Sequence, residues 1–161
     1  MSDQSITLQK LLEHFGESII ESHSRLGQDT VVLQRKALLD AARLLKDDDE
    51  LDYNFLMDVT AVDHLKRRPR FEVVYHFYSL QHNHRVRIKV PVGGDKPEVP
   101  TLTGLWPSAN WFERETFDMF GIRFQGHPDL RRILMYEAFE GHPLRKDYPF
   151  NKRQPMVGQT E

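Results

Sequence analysis

The chain of 161 residues contains no cysteine. This absence excludes disulfide bonds, zinc sites built on thiolates and cysteine-ligated iron–sulfur clusters on this chain. Catalysis by a nucleophilic thiol is excluded for the same reason, and no serine stands in a nucleophile-elbow motif. The lack of cysteine is compatible with a cytoplasmic protein but says little about the compartment.

Long apolar runs are missing as well. No stretch approaches the roughly 20 apolar residues that a membrane-spanning helix needs. Residues 1–5 lack the basic and apolar regions of a signal peptide. We therefore expect any contact with a membrane to be made through partner proteins.

The chain has no excess of charge of one sign. Its 22 Lys and Arg residues face 24 Asp and Glu residues, which gives a formal net charge of −2. This balance provides no general field that would attract nucleic acid. With 39% hydrophobic and 29% charged residues, the composition is that of a soluble globular protein.

Hydrophobic periodicity predicts two helices and two short strands at the start of the chain. The helices run from about Thr7 to Phe15, where Gly16 ends the helix, and from about Arg35 to Lys46. The apolar stripe of the second helix consists of Leu38, Ala41, Ala42 and Leu45. The strands lie at residues 19–20 and 31–33, with Gly27-Gln28-Asp29 as turn material.

Three longer strands follow at Asn54–Val62, Phe71–Leu80 and Arg85–Val92. The turn-like residues 81–84 between the last two predict a β-hairpin. In the first of the three strands, a period of two places on one face Phe55, Met57, Val59 and Ala61.

A stretch rich in proline and glycine, from Pro91 to Pro107, is predicted to be a loop. A helix then runs from about Trp111 to Phe120, with Asn110 as its N-cap, Glu113 completing a capping box and Gly121 closing it. Residues 122–124 are predicted to form a short strand. After Gly126 the periodicity fails.

These elements predict an α+β fold in which helices pack on a largely antiparallel mixed sheet, followed by an extended C-terminal tail. We divide the chain into an α+β core domain, residues 1–125, and an irregular C-terminal docking segment, residues 126–161. The core domain includes the helix that begins near Trp111.

Two histidines, His127 and His142, each lie in a Gly-His-Pro turn. With Asp129 or Asp147 they are candidates for a metal site, but no helical His-Glu-x-x-His or close Cys/His spacing accompanies them. Imidazoles held in such turns usually bond to backbone groups. A stand-alone metal-dependent hydrolase built on these histidines is kept as an alternative.

Acidic and basic residues are balanced in the last third of the chain. Glu115 and Asp118 share a helical face, but Asp118 lies four residues after Arg114, which favours a structural ion pair over catalysis. The glycines do not follow a phosphate-loop spacing. The following basic residues therefore fit an ion-paired contact surface better than a phosphate site: Arg131, Arg132, Arg145 and Lys146.

Two further surfaces are left open by the residues alone. Trp111 points away from the stripe that fits packing on the sheet, so it is either a core residue or a partner contact. The basic positions of the last long strand form either a solvated sheet face or a docking site for an acidic partner: Arg85, Arg87 and Lys89.

The segments Glu113–Ile122, Gly126–Met135 and Gly141–Pro149 closely resemble the signature of a family of small hydrophilic subunits, the C subunits of NADH-quinone oxidoreductase, respiratory complex I. The stretch from Glu113 to Pro149 that contains them makes up about a quarter of the chain. The resemblance implies a non-catalytic subunit of the peripheral arm, on the cytoplasmic face of the bacterial inner membrane. It also implies that this chain carries no cofactor, since FMN, iron–sulfur clusters and quinone are held by partner proteins of the complex.

The same resemblance implies packing against the D subunit, which is the large quinone-site subunit, and close to the cluster-bearing B subunit. The docking residues that it implies are Trp111, Glu113, Arg114, Glu115, Asp118, His127, Asp129, Arg131, Arg132, His142, Arg145, Lys146, Asp147 and Tyr148. The closest rival is the equivalent component of a membrane-bound hydrogenase or a related quinone-coupled oxidoreductase.

Overall fold

The computed structural model describes residues 5–154, and its largest unit is a five-stranded sheet. The order across the sheet is β1-β2-β5-β4-β3. Strands β2 and β5 run parallel, whereas all other neighbours are antiparallel. The strands are β1 (Ile19–Arg25), β2 (Gln28–Leu33), β3 (Phe55–Asp63), β4 (Phe71–Ser79) and β5 (His84–Val92).

Three α-helices complete the fold of the described residues: α1 (Ile6–Phe15), α2 (Leu38–Asp47) and α3 (Ala109–Phe120). A small parallel pair of strands, β6 (Glu98–Pro100) and β7 (Arg123–Gln125), lies outside the main sheet. Helices and main sheet share one core cluster. The predicted α+β fold with a largely antiparallel mixed sheet is therefore confirmed. Among the described helices, none has the length and apolarity needed to cross a bilayer.

The elements with clean periodicity are those that the sequence predicts well. Helix α2 buries its predicted stripe, with Leu38, Ala41, Ala42 and Leu45 each no more than 1% exposed. Strands β4 and β5 form the predicted hairpin, with Tyr75 opposite Ile88 in the core. A strict period matches one buried face, and burying that face stabilises the element by about 25 cal/mol for each Å² of apolar surface.

The predicted face of β3 is wrong at its start. A β-bulge between Leu56 and Asp58 shifts the register against β4. Leu56 is consequently buried, while Phe55 and Met57 are 46% and 37% exposed. An extra residue in one strand turns the side chains before it to the opposite face of the sheet. A strict period of two therefore assigned Phe55 and Met57 to the wrong face.

The first hairpin also differs from the prediction. The turn between β1 and β2 is formed by Leu26 and Gly27, both with positive φ, of 53° and 72°. Gln28 and Asp29, predicted as turn material, belong to β2. Helix α1 ends at Phe15 with Gly16 as its C-cap, as predicted, and with a φ of −47° at Gly16 the chain continues into a short 3₁₀ turn over Gly16–Ser18.

The predicted loop from Pro91 to Pro107 contains secondary structure. Pro91 still belongs to β5, and Glu98–Pro100 forms strand β6, which pairs with β7. A three-residue strand that includes proline gives almost no periodic signal, so composition alone suggested a loop.

Helix α3 starts earlier than predicted. It begins at Ala109 after Ser108, so Asn110 lies inside the helix and is not its N-cap. Glu113 makes no capping box, since its carboxylate turns into the protein interior. Gly121 closes the helix with a φ of 74°, as predicted.

Candidate functional site

The candidate site is the unit formed by α3 and the irregular chain that wraps around it. We call the described part of that chain, residues 126–154, the C-terminal segment. Those residues contain no helix and no strand. Because the segment has no regular backbone hydrogen bonding, its position depends on polar contacts with the rest of the chain.

Asp118, fully buried on α3, is the centre of these contacts. Its Oδ2 accepts backbone hydrogen bonds from Ile133 (3.1 Å), Leu134 (2.8 Å) and Met135 (2.9 Å), and its Oδ1 accepts one from Nη1 of Arg132 (2.6 Å). Burial raises the pKa of Asp118, but these donors together outweigh burial and leave the pKa below its usual value. A buried carboxylate therefore fixes the path of residues 132–135.

The last carbonyls of α3 are satisfied by the same segment. The ends of helices leave such carbonyls without partners inside the helix. Here three of them accept hydrogen bonds from the C-terminal segment: Asp118 O from Nδ1 of His142 (2.9 Å), Met119 O from the N–H of Leu144 (3.1 Å) and Phe120 O from Nε of Arg145 (2.6 Å). Residues 142–145 therefore serve as a cap for α3.

The lack of a side chain at Gly121 allows residues 142–145 to pack closely against the end of α3. A Cβ at this position would lie 2.6 Å from the His142 ring and 2.9 Å from the Arg145 guanidinium. The φ of 74° is also one that side chains disfavour. Glycine at the end of α3 therefore serves both the turn and the packing of the C-terminal segment.

His127 holds the segment near the other end of α3. Its Nε2 donates to the carbonyl of Asn110 at 3.1 Å, and its Nδ1 accepts the N–H of Asp129 at 3.0 Å. These partners define a neutral ring protonated on Nε2. The two histidines of the Gly-His-Pro turns thus bond to backbone groups at opposite ends of α3. Among the described residues, no group of three His, Asp or Glu residues is placed to bind a metal.

A third anchor joins the C-terminal segment to the sheet. Arg70 forms two bonds to Asp63, of 2.8 Å and 2.7 Å, and a further bond of 2.9 Å to Asp147. Asp63 also accepts the N–H of Lys146 at 2.8 Å. The Arg70 guanidinium holds the pKa of Asp63 well below its usual range. Asp63 and Arg70 are not among the predicted site residues, because they lie far from this segment along the chain.

Glu113 is also buried in the chain. Its carboxylate accepts the N–H of Leu102 at 2.7 Å and the hydroxyl of Thr101 at 2.5 Å, so it ties the loop before α3 to the helix. Nε2 of His127 lies 4.0 Å away. Burial raises the pKa of Glu113 to about 7, and the Leu102 and Thr101 bonds offset only part of that rise.

The raised pKa predicts a pH effect that Glu113→Gln should remove. Because the folded chain binds this proton more tightly than the unfolded chain, Glu113 lowers stability as the pH rises from about 4.5 to about 7. Relative to the wild type, Glu113→Gln should therefore gain on the order of 3 kcal/mol of unfolding free energy over that range. Urea denaturation of the purified chain at several pH values measures this gain. Glu115→Gln, exposed on the same helix, is the control, and an equal pH dependence for wild type and Glu113→Gln would disprove the assignment.

The remaining predicted docking residues differ in how far their side chains are exposed to solvent. Trp111 is 69% exposed, and Glu115 is exposed beside it on α3. Arg114 turns toward the C-terminal segment, where it donates to the carbonyls of Arg131 (3.2 Å) and Arg132 (3.0 Å). The side chains of the following predicted residues lie at least partly at the surface: Asp129, Arg131, Lys146, Asp147 and Tyr148.

Comparison with protein families gives a match over residues 31–154 to the model described as "Respiratory-chain NADH dehydrogenase, 30 Kd subunit". The chain is 49% identical over 152 residues to the NADH-quinone oxidoreductase C subunit of Roseiflexus sp., covering 94% of this chain and 87% of that protein. It is 45% identical over 161 residues to the corresponding C subunit of Geotalea uraniireducens, covering 99% and 97%.

The fold is also similar to a solved structure, Nqo5 of a trypsin-resistant fragment (1-134). The TM-score is 0.68 and the identity 36%, over 78% of this chain and the whole of that one. The region matched by the family model includes α3 and the C-terminal segment as far as Gln154.

Proposed function

This chain belongs to the family of the 30 Kd subunit of respiratory-chain NADH dehydrogenase, and on that premise we propose that it works as a structural component of NADH-quinone oxidoreductase. It takes part in the oxidoreductase activity as a component of the complex. One observation supports the structural role. The C-terminal segment is hydrogen-bonded to α3, and α3 exposes Trp111 at the surface.

The neighbours in this proposal are the large quinone-site protein, the D subunit of the complex, and the cluster-bearing B subunit. FMN, iron–sulfur clusters and quinone are carried by the partners, and the complex lies on the cytoplasmic face of the bacterial inner membrane. Relatives named as components of NADH-quinone oxidoreductase, at 49% and 45% identity, favour this complex over a membrane-bound hydrogenase.

Within the predicted docking set, the buried and the exposed residues have different tasks. We assign positioning to Glu113, which ties the loop before α3 to the helix. We assign the same task to the residues that hold the C-terminal segment on α3: Asp118, His127, Arg132, His142 and Arg145. We assign partner contact to the residues at the surface: Trp111, Glu115, Asp129, Arg131, Lys146 and Tyr148. Arg114 and Asp147 also hold the C-terminal segment, through the carbonyls of residues 131–132 and through Arg70. Aromatic and arginine side chains are enriched among the anchors of protein interfaces.

A structural subunit contributes to electron transfer by holding the neighbouring subunits in fixed positions. The buried carboxylates of Asp118 and Asp63 fix backbone positions in the C-terminal segment, so the exposed residues are held in one arrangement before a partner binds. Such preorganisation lowers the entropic cost of association. Fixed contacts between the components of the complex then keep the separations between redox centres constant.

The proposed function is tested by removing the chain from cells that make the rest of the complex. We expect the membranes to lose NADH-quinone reductase activity and the remaining subunits to fail to assemble, and the restored wild-type chain to return both. The purified chain alone should show no NADH oxidation and no quinone reduction. Turnover by the lone chain, or normal activity in its absence, would refute the proposal.

A further inference from the structure

The face of the main sheet opposite the core is not part of the proposed interface. Because Val86 and Ile88 point into the core, the alternating residues Arg85, Arg87 and Lys89 point to the other face. No helix of the described chain packs there, since all three contribute their buried residues to the single core. We call this surface the open face.

Arginines accumulate at one end of the open face. Arg25 pairs with Gln28 across β1 and β2, while Arg85 pairs with Tyr78 and Arg87 with His76 across β5 and β4. We call this group, together with Phe55 and Met57 of β3, the basic end.

The two arginines of β5 at the basic end contact a histidine and a tyrosine ring and not a carboxylate. Arg87 donates from Nε to Nε2 of His76 at 3.0 Å, and the guanidinium of Arg85 lies over the Tyr78 ring, 5.3 Å from its centre. Neither arginine forms an ion pair among the described residues. Lys89, by contrast, is paired with Glu72 at 3.0 Å, so the surplus charge is confined to one end of the face.

Two acids lie near the basic end, and neither is paired with its arginines. Asp58 is 3.9 Å from His76. Asp29 of β2 is buried and accepts a hydrogen bond from the Ser5 hydroxyl. An acidic group from outside the chain would therefore meet guanidinium groups that have no carboxylate partner of their own.

Exposed apolar side chains lie beside these charges. The bulge in β3 leaves Phe55 and Met57 46% and 37% exposed, and Phe55 is opposite Tyr78. Bulges re-aim side chains in this way, often at functional positions. A patch that combines arginine, tyrosine, phenylalanine and methionine has the composition of a protein interface.

A small cavity marks the centre of the basic end. Its volume is about 100 Å³, and its lining includes Gln28, Asp29, Met57, His76, Arg85 and Arg87. Pockets for small-molecule ligands are usually of the order of 300–1,000 Å³, so this cavity suits one inserted side chain better than a free metabolite. Guanidinium groups favour carboxylates as partners because their geometry allows paired hydrogen bonds.

We propose that the basic end binds an acidic segment of a neighbouring protein, with an Asp or Glu side chain seated between Arg85 and Arg87 and an apolar side chain against Phe55 and Met57. This would be a second interface, on the sheet face turned away from the core. It rests on the proposed function only in that the neighbour belongs to the same complex.

To test this, Met57 is replaced by a photo-reactive phenylalanine analogue in cells that assemble the whole complex. Mass spectrometry then identifies the cross-linked peptides. We expect a cross-link to a segment of another protein of the complex that is rich in Asp and Glu. The same analogue at Trp111 reports separately on the α3 interface, so loss of that signal alone would count against the proposed function and leave this inference standing.

Charge variants decide whether the arginines carry the contact. Arg85→Glu with Arg87→Glu should reduce the Met57 cross-link about tenfold, whereas Arg85→Lys with Arg87→Lys should keep most of it. Arg123→Glu, an exposed arginine of β7, serves as the matched control and should have no effect. The inference is overturned by the absence of a Met57 cross-link, by a cross-link to nucleic acid or to a segment poor in acids, or by insensitivity to charge reversal.

Discussion

Asp118→Asn should destabilise the purified chain by about 3 kcal/mol and abolish its incorporation into the complex. The carboxylate accepts three backbone N–H groups and pairs with Arg132 while fully buried. An amide has one acceptor oxygen, and its NH₂ group would face donors. Loss of the carboxylate thus leaves buried N–H groups without partners and releases residues 132–135 from α3.

Urea denaturation and purification of the complex through a tagged partner protein measure the two effects. Asp95→Asn, which changes an exposed acid in the loop after β5, is the matched control and should alter stability by no more than about 0.5 kcal/mol. If Asp118→Asn retained wild-type stability, the carboxylate would not be what holds the C-terminal segment on α3.

Trp111→Ala should have the opposite profile, weakening assembly roughly 30-fold while leaving the isolated chain intact. With 69% of its surface exposed, the indole contributes little to the core. Exposed tryptophans become hot spots when a partner covers them, and truncation then costs at least about 2 kcal/mol of binding. Unfolding free energy should change by no more than about 0.5 kcal/mol.

Leu80→Ala provides the control for Trp111→Ala. Leu80 is 66% exposed, but it lies at the turn between β4 and β5, outside the predicted docking residues. Titration of the purified chain into a mixture of the remaining subunits, monitored by recovered activity, gives both affinities. Equal affinities for the two variants would mean that Trp111 makes no partner contact.

The regular part of the fold follows from local pattern. Helix α2 and strands β4 and β5 were predicted because apolar residues recur along each of them with a single period. Burial of that apolar face stabilises the element, so the pattern is visible in the sequence. The face of β3 was not predictable in the same way, because the bulge before Asp58 inserts one residue without any signal in composition. The turn at Leu26 was missed because leucine rarely adopts positive φ.

The contacts of the candidate site depend on long-range pairs. Asp63 meets the N–H of Lys146 across 83 residues, and Arg70 meets Asp147 across 77. No local pattern reports such a pair. Glu113 illustrates a related difficulty, since its spacing from Asn110 suggested a capping box, whereas tertiary structure turns the carboxylate inward to Leu102. Resemblance to a family pointed to this region, but only the structure separates its buried residues from its exposed ones.

We propose that this chain acts by contact and not by chemistry, and the complex that contains Trp111→Ala distinguishes the two. The measurement is NADH-quinone reductase turnover per mole of fully assembled complex, with the amount of assembled complex determined in parallel. We predict fewer complexes, each with wild-type turnover. A normal amount of complex with reduced turnover would contradict the claim, because it would place this chain in the reaction itself.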